Sequence, residues 1–229
     1  IKAGAKIIDI GGESTRPGSK TIPINIEWKR IENTVKNFKK KYKKICLSVD
    51  TRKSAIMIKA IKHKTDLIND ISGFNYEDQS LNKIKKYNIA KVLHHMQGTP
   101  NTMQKNPTYK NVLLDVYDFF EKNVKKINNS KIIIDPGIGF GKNLKHNLTL
   151  ISNISLFHSL GLPIMIGTSR KRFISQISRV NDSKERIGGT VASVLFLLSQ
   201  GIQIFRVHNV NEVKQGILVF RKILSIFKN

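Results

Sequence analysis

Each of seven apolar runs in this chain is followed by a short cluster of polar residues whose side chains can bind ligands or take part in catalysis. The runs begin at residues 7, 45, 67, 90, 132, 164 and 204. A strand that becomes polar only at its end places those polar side chains at one edge of a parallel sheet. In α/β barrels the catalytic residues lie at that edge. The pattern therefore predicts an α/β fold whose functional site lies at the C-terminal ends of the strands.

Segments with helical spacing separate these runs. Apolar residues recur every three or four positions in seven segments: 24–38, 56–61, 81–84, 113–127, 148–157, 187–198 and 213–224. Strands that alternate with helices favour a parallel sheet with right-handed crossovers. A closed TIM (β/α)8 barrel needs eight such units. The sequence predicts seven of them, in a single domain over residues 1–229 that is incomplete at its N-terminus.

Composition narrows the class of protein further. With 40% hydrophobic residues in 229, the chain can form a large core. Its single cysteine, Cys46, lies in an apolar run, which predicts a buried thiol and suits a reducing compartment. No apolar run is as long as the roughly 18 residues of a membrane helix. We therefore expect a soluble, cytoplasmic protein without membrane contact.

The chain is strongly basic, because 40 Lys and Arg residues oppose 16 Asp and Glu residues, giving a net charge of +24. Such a charge is typical of nucleic-acid-binding proteins, which neutralise phosphates with clustered cations. The lysines lie mostly on the polar faces of the predicted helices, without interleaved aromatic residues. We therefore interpret them as a solvated surface, not as a nucleic-acid site, with a field that attracts small anionic substrates.

Two carboxylates and an amide lie at or next to strand ends. They are Asp50, Asn69 and Asp135. A carboxylate accepts two parallel hydrogen bonds from an amidine-like edge, and an amide both donates and accepts. Each Asp alone could equally cap a helix. Together the three residues predict a pocket for a flat heterocycle with an aminopyrimidine edge.

Cationic side chains follow the last two runs. Lys171 stands with two arginines after Gly167, where a strand leads into a helix, and such a start favours anion binding. Arg206 and His208 alternate along the last run, so both should face the same side as a phosphate or diphosphate clamp. The polar stretch from Gly11 to Pro23 is interpreted as a mobile loop at the same edge.

Two further motifs bear on ligand or metal binding. Residues 135–142 are rich in glycine but lack the ending of a Walker loop, and they should bring Phe140 towards a ligand. His94 and His95 are adjacent on a predicted strand, so they point in opposite directions and cannot hold one metal ion together. We expect no metal site there.

Seven stretches taken together resemble the dihydropteroate synthases. They are residues 11–18 (GGESTRPG), 48–51 (SVDT), 68–71 (INDI), 95–100 (HMQGTP), 135–142 (DPGIGFGK), 169–171 (SRK) and 206–208 (RVH). Each is short. As a set, they follow the order and spacing of that family over nearly the entire chain.

The resemblance implies a transferase of folate biosynthesis that condenses 6-hydroxymethyl-7,8-dihydropterin diphosphate with p-aminobenzoate, giving 7,8-dihydropteroate and diphosphate. The catalytic residues that it implies by position are Asp50, Asp135, Lys171, Arg206 and His208. The substrate-binding residues that it implies are Thr15, Arg16, Pro17, Asp50, Asn69, Met96, Asp135, Phe140, Gly167, Lys171, Arg206 and His208. Thr15, Arg16 and Pro17 would lie on a loop that closes over p-aminobenzoate.

The resemblance also implies Mg²⁺ bound with the diphosphate, through an Asn on a first strand that precedes Ile1, so no metal ligand is expected in this chain. It implies a homodimer as well. Two enzymatic or binding alternatives remain at this point: a pterin-binding methyltransferase that uses methyltetrahydrofolate, and a basic nucleic-acid-binding protein. A decayed, inactive relative is a third.

Overall fold

Seven parallel strands form the centre of the molecule. The computed structural model describes residues 1–127 and 131–226. The strands are β1 (Ile7–Gly11), β2 (Cys46–Asp50), β3 (Leu67–Asp70), β4 (Ala90–His94), β5 (Ile132–Asp135), β6 (Met165–Ile166) and β7 (Ile204–Phe205). Each coincides with one of the seven apolar runs.

Eight α-helices are described around these strands: α1 (Ile24–Lys41), α2 (Ser54–Lys62), α3 (Ser80–Lys85), α4 (Val112–Ile127), α5 (Leu144–Ser152), α6 (Arg172–Ser178), α7 (Ile187–Ser199) and α8 (Val210–Ile226). Two 3₁₀ helices, Ile154–Leu160 and Ser183–Glu185, follow α5 and α6. The helix start predicted after Gly167 is confirmed by α6, which begins at Arg172. The sequence predicts one helix over 148–157, but the structure breaks it at Asn153.

Strand order follows chain order. β1 to β5 form one parallel sheet, β6 pairs with β7, and an Ile134–Ile164 bridge links the two groups. Among the described residues, β1 pairs only with β2, and β7 only with β6. The arrangement is that of the (β/α)8 fold, with seven strand–helix units among the described residues, as predicted.

Alternate side chains on each strand face two separate apolar layers, because the side-chain period of a strand is two residues. Leu67, Val92 and Met165 point inwards and pack together with Ile133 in the middle of the strands. Their neighbours Ile68, Leu93 and Ile134 point outwards into the larger layer between strands and helices. The strands are therefore buried on both faces, which explains their unbroken apolar runs.

The helical stripes predicted to face the core do so in most positions. In α1, for example, Trp28, Ile31 and Val35 are buried. Three members were wrong: Ile24, Leu148 and Leu224 are about two-fifths exposed. The first two lie in the first turn or two of their helices, where a residue can remain beyond the edge of the core.

One further prediction needs correction. Arg206 and His208 do not lie on the last strand, because β7 ends at Phe205 and both residues follow it.

None of the described helices combines the length and apolarity that a membrane crossing requires.

Candidate active site

A cavity of about 1000 Å³ opens at the C-terminal ends of the strands. It brings together eleven of the twelve predicted substrate-binding residues: Thr15, Arg16, Pro17, Asp50, Asn69, Asp135, Phe140, Gly167, Lys171, Arg206 and His208. These residues come from strand ends and the loops after them. Met96 is the exception, because it is half-buried but does not line the cavity. A role for Met96 in substrate binding stays a prediction.

A hydrogen-bonded polar group lies on one side of this cavity. Asp9 accepts hydrogen bonds from Ser48 Oγ at 2.5 Å and from Asn69 Nδ2 at 3.2 Å. Arg206 donates to Asp9 Oδ2 at 2.7 Å and to Asp50 Oδ2 at 3.3 Å. Three neighbouring strands and the segment after β7 thus contribute to one network at the base of the cavity.

Two oxygens of this group have no hydrogen-bond partner among the described residues: Asp50 Oδ1 and Asn69 Oδ1, both buried. A buried acceptor without a donor costs free energy. Burial, and after it the nearby Asp9 carboxylate, raises the pKa of Asp50 to about 8. The site therefore presents two acceptors that a ligand with N–H donors could satisfy.

Asp135 and Lys171 also line the cavity. Asp135 Oδ1 accepts the backbone N–H of Gly137 at 2.8 Å, and burial raises the pKa of this carboxyl. Lys171 donates to the carbonyl of Ile138, and its Nζ lies 4.9 Å from the centre of the Phe140 ring. Burial lowers the pKa of Lys171 to about 8, although Asp135 opposes the shift.

Glycine is required at the turn after Asp135. Gly137 has a φ of +70°, and a Cβ at this position would lie 1.9 Å from the carbonyl oxygen of His95. Neither the backbone conformation nor the space permits a side chain. This close approach sets the path of residues 137–142 and holds Phe140 against the ring of His94, 4.6 Å away in an edge-on arrangement.

Ser169 orients His208 at the cationic end of the cavity. The Ser169 hydroxyl oxygen accepts the backbone N–H of His208 at 3.2 Å and lies 3.0 Å from its Nδ1. The hydroxyl proton can then be donated to Nδ1, which leaves the ring proton on Nε2. Burial and the neighbouring arginines lower the pKa of His208. A neutral imidazole with its N–H on Nε2 can donate to an anion there, beside Arg206.

His94 and His95 face different surroundings, as predicted. His94 Nδ1 contacts the carbonyl of Ile71 at 3.1 Å, whereas His95 Nδ1 contacts Lys142 Nζ at 2.9 Å. Burial lowers the pKa of both histidines and of Lys142 well below their usual values. Among residues 1–127 and 131–226, no group of three His, Cys, Asp or Glu side chains is arranged to hold a metal ion.

Comparison with known proteins identifies the family. The "Pterin binding enzyme" family matches residues 1–208. Dihydropteroate synthase of Escherichia coli K12 is 37% identical over the whole chain, which spans 82% of that protein. This chain belongs to the dihydropteroate synthases, within the pterin-binding enzymes. It is therefore a transferase, and these matches favour the synthase over the methyltransferase alternative.

Solved dihydropteroate synthases share the fold. The Yersinia pestis enzyme, crystallised with a sulfonamide drug, superposes with a TM-score of 0.93 at 36% identity, covering 98% of this chain and 82% of that one. The Xanthomonas albilineans enzyme with 4-aminobenzoic acid gives 0.90 at 29% identity, covering 97% and 81%. Both structural matches support the expected barrel and the assignment of this chain to the synthases.

Sequence reasoning missed Asp9 in this member of the dihydropteroate synthases. Asp9 stands inside the apolar run Ile7–Ile10, not at its end, so the pattern of polar strand ends does not reveal it. Its position was nevertheless informative, since a carboxylate between strand residues must face a polar partner. Cys46, predicted to be buried, is half-buried at the start of β2, far along the strand from Asp50. Burial raises the pKa of its thiol.

Proposed function

We propose that this chain condenses 6-hydroxymethyl-7,8-dihydropterin diphosphate with p-aminobenzoate, giving 7,8-dihydropteroate and diphosphate, at the cavity described above. The observation that carries the assignment of the site is the pair of unpartnered buried oxygens on Asp50 and Asn69. They stand beside cations in a cavity large enough for a bicyclic base and a second ring.

In this proposal the pterin lies between two sets of residues. Its amino group and ring N–H donate to Asp50 and Asn69, which removes the cost of leaving their oxygens unpaired. Asp135 accepts from the same edge, and Lys171 Nζ donates to a ring acceptor. Burial raises the pKa of both carboxyls, and N–H donors of the bound ring favour their ionised, accepting forms.

The diphosphate then lies towards Arg206 and His208. Arg206 is ion-paired with Asp9 and Asp50. Because its side chain is 47% exposed, it can turn towards an anion without having to leave a buried position. His208 donates from Nε2 because Ser169 fixes its tautomer. Both donors stabilise charge that develops on the leaving group.

The bond changes follow from this arrangement. The bond between the exocyclic methylene and the diphosphate oxygen breaks, and its electron pair leaves with the diphosphate. The methylene, conjugated to the pterin ring, carries positive charge that Asp50 and Asp135 stabilise. The aniline nitrogen attacks this carbon, and its proton passes to the departing diphosphate or to water. Thr15, Arg16 and Pro17, together with Phe140, would hold p-aminobenzoate in line for the attack.

Mg²⁺ is expected with the diphosphate by resemblance alone. Within the part of the chain that the structure describes, the carboxylates nearest the diphosphate end, Asp9 and Asp50, are paired with Arg206, and no metal-ligating group of three is present. These residues do not form a fitting Mg²⁺ site, and no step of the mechanism is assigned to the ion.

The remaining proposals concern organisation. One domain over residues 1–229 is supported by an apolar layer that runs from Trp28 to Ile202. A homodimer is supported by exposed apolar side chains on α8, among them Leu218, Val219 and Ile223, each more than half exposed. A cytoplasmic location and the absence of nucleic-acid binding stay predictions. Filter binding to duplex DNA at low and moderate salt tests the latter, and tight saturable binding would contradict it.

Diphosphate release on mixing both substrates tests the assignment of roles. The assay uses the 229-residue chain and each variant of it. We expect Asp135→Asn and Lys171→Ala to lower kcat/KM by about 100-fold or more, because each removes a group that faces developing charge. Lys36→Ala, on the exposed side of α1, is the control. Near wild-type turnover in either site variant would contradict the assigned roles.

A further inference from the structure

Four charged side chains are buried together beneath the loop that follows β1. They are Glu13, Glu27, Arg52 and Lys53, and each side chain is 5% exposed or less. Lys53 Nζ lies 2.7 Å from Glu13 and 2.5 Å from Glu27, and Arg52 lies 2.6 Å from Glu13. The two positive and two negative charges balance. None of the four residues has a role in the mechanism proposed above.

Glu13 connects the two ends of the loop. Its Oε1 accepts the backbone N–H of Ile22 at 2.9 Å in addition to Lys53, and its Oε2 accepts Arg52. Residue 13 begins the loop and residue 22 ends it, so one carboxylate closes the intervening segment 14–21. Although burial by itself would raise the pKa of Glu13, the hydrogen bonds from Lys53 and Arg52 hold it below its usual value.

The base of the loop is also packed tightly against α1. A Cβ on Gly12 would lie 2.4 Å from the carbonyl oxygen of Glu27, and Arg30 donates to the carbonyl of Gly12 at 3.0 Å. The second carboxylate, Glu27, accepts from Thr51 Oγ1 at 2.5 Å and thereby fixes the start of α1 to the end of β2. The cluster is therefore a rigid platform made from two strand ends and one helix.

Beyond this platform the loop has few fixed contacts. Gly18 N donates to the carbonyl of Pro100 at 2.9 Å, and Arg52 makes a long contact of 3.4 Å with Thr21. Among the described residues, the other hydrogen bonds of segment 14–21 lie within the segment itself. Arg16 and Pro17 are exposed at the cavity mouth. Where these side chains lie thus depends chiefly on how the two ends of the loop are held.

We infer that Glu13 is a positioning residue, whose carboxylate fixes both ends of segment 14–21 so that Thr15, Arg16 and Pro17 stand over the p-aminobenzoate side of the cavity. The inference rests on the proposed function for the identity of that substrate. Glu13 is one of the residues that line the cavity, but both of its carboxylate oxygens are already engaged, by Ile22 N and Lys53 and by Arg52. It acts through the loop, so its removal should affect the two substrates unequally, because the pterin residues Asp50 and Asn69 make no hydrogen bond to Glu13.

The test replaces Glu13 with Gln, which keeps the size of the side chain but removes the charge that pairs with Lys53 and Arg52. We expect trypsin to cleave the variant between Lys20 and Thr21 about tenfold faster than the wild type, because a loosened loop opens more often. Mass spectrometry of the peptide that ends at Lys20 measures the rate. Cleavage after Arg16 does not interfere, since Pro17 follows it. We also expect the KM for p-aminobenzoate to rise roughly tenfold while the Kd for the pterin diphosphate changes less than about twofold.

Glu32→Gln is the matched control, because Glu32 is paired with Lys36 on the outer side of α1, away from the loop. It should leave all three measurements unchanged. If Glu13→Gln fails to fold, Glu13→Asp serves instead: it keeps the charge, but its carboxyl is one methylene short of Ile22 N. The same unequal loss is expected.

Equal cleavage rates and an unchanged KM would overturn the inference. An equal weakening of both substrates together with a lower Tm would also overturn it, since it would show a purely structural role. Failure of the wild-type chain to bind pterin diphosphate would instead refute the proposed function, and the cleavage rates would still decide whether Glu13 holds the loop.

Discussion

Replacing Asp50 with Asn should change how the stability of the chain depends on pH. Burial and the Asp9 carboxylate raise the pKa of Asp50 from 3.8 to about 8 in the folded protein. Between these values the unfolded chain has released the proton and the folded chain retains it. The free energy of unfolding therefore falls as pH rises through this window, by about 1.4 kcal/mol per pH unit for one proton, and levels off above the folded pKa.

The amide of the Asp50→Asn variant has no proton to release in this range, so the variant should lose this contribution to the slope. Urea unfolding at pH 5, 6 and 7 measures it: the slope for Asp50→Asn should be less negative than that of the wild type by about 1.4 kcal/mol per pH unit. Asp118→Asn, at an exposed position of α4, controls for the loss of one charge. Equal slopes for Asp50→Asn and wild type would refute the reasoning, because they would show that Asp50 is already ionised in the folded chain.

Two further predictions concern the turn after β5 and the charge of Lys171. Gly137→Ala should lower the free energy of unfolding by more than about 3 kcal/mol, because it combines a positive φ with a Cβ 1.9 Å from a carbonyl oxygen. The control is Gly161→Ala, where φ is +66° and the space is open; it should cost about 1 kcal/mol in the same urea assay. Lys171→Arg should gain in kcat/KM relative to the wild type as the pH rises through about 8, the lowered pKa of Lys171, because the wild type loses this charge there and the arginine keeps it. A ratio of the two kcat/KM values that does not depend on pH would count against a role for that charge.

The strand ends could be predicted because their signal is local. A polar residue that closes an apolar run, such as Asp50 or Asp135, shows its position without knowledge of any partner. The parallel order of the strands then brings all such ends to one edge. Most helical faces followed for the same reason, since a stripe such as Trp28, Ile31 and Val35 defines its own buried side.

The parts that could not be predicted depend on partners far away in the sequence. The role of Asp9 depends on Arg206, which follows it by 197 positions, and Glu13 depends on Arg52 and Lys53, 39 and 40 positions away. Nothing near Glu13 distinguishes a loop anchor from a solvated carboxylate. Met96 differs from these two residues: it belongs to a stretch that carries the family resemblance, yet it does not line the cavity.

The unpartnered oxygens also explain why the empty site should be less stable than the occupied one. Asp50 Oδ1 and Asn69 Oδ1 are buried without donors among the described residues, since Arg206 donates to Asp9 Oδ2 and Asp50 Oδ2 instead. A ligand that donates to both oxygens removes a cost that the folded chain bears and the unfolded chain does not. Its binding free energy is then available as stability, because it binds only the folded state. The same acceptors that weaken the fold are those that select a donor-rich, flat ring, so stability and recognition oppose each other at Asp50 and Asn69.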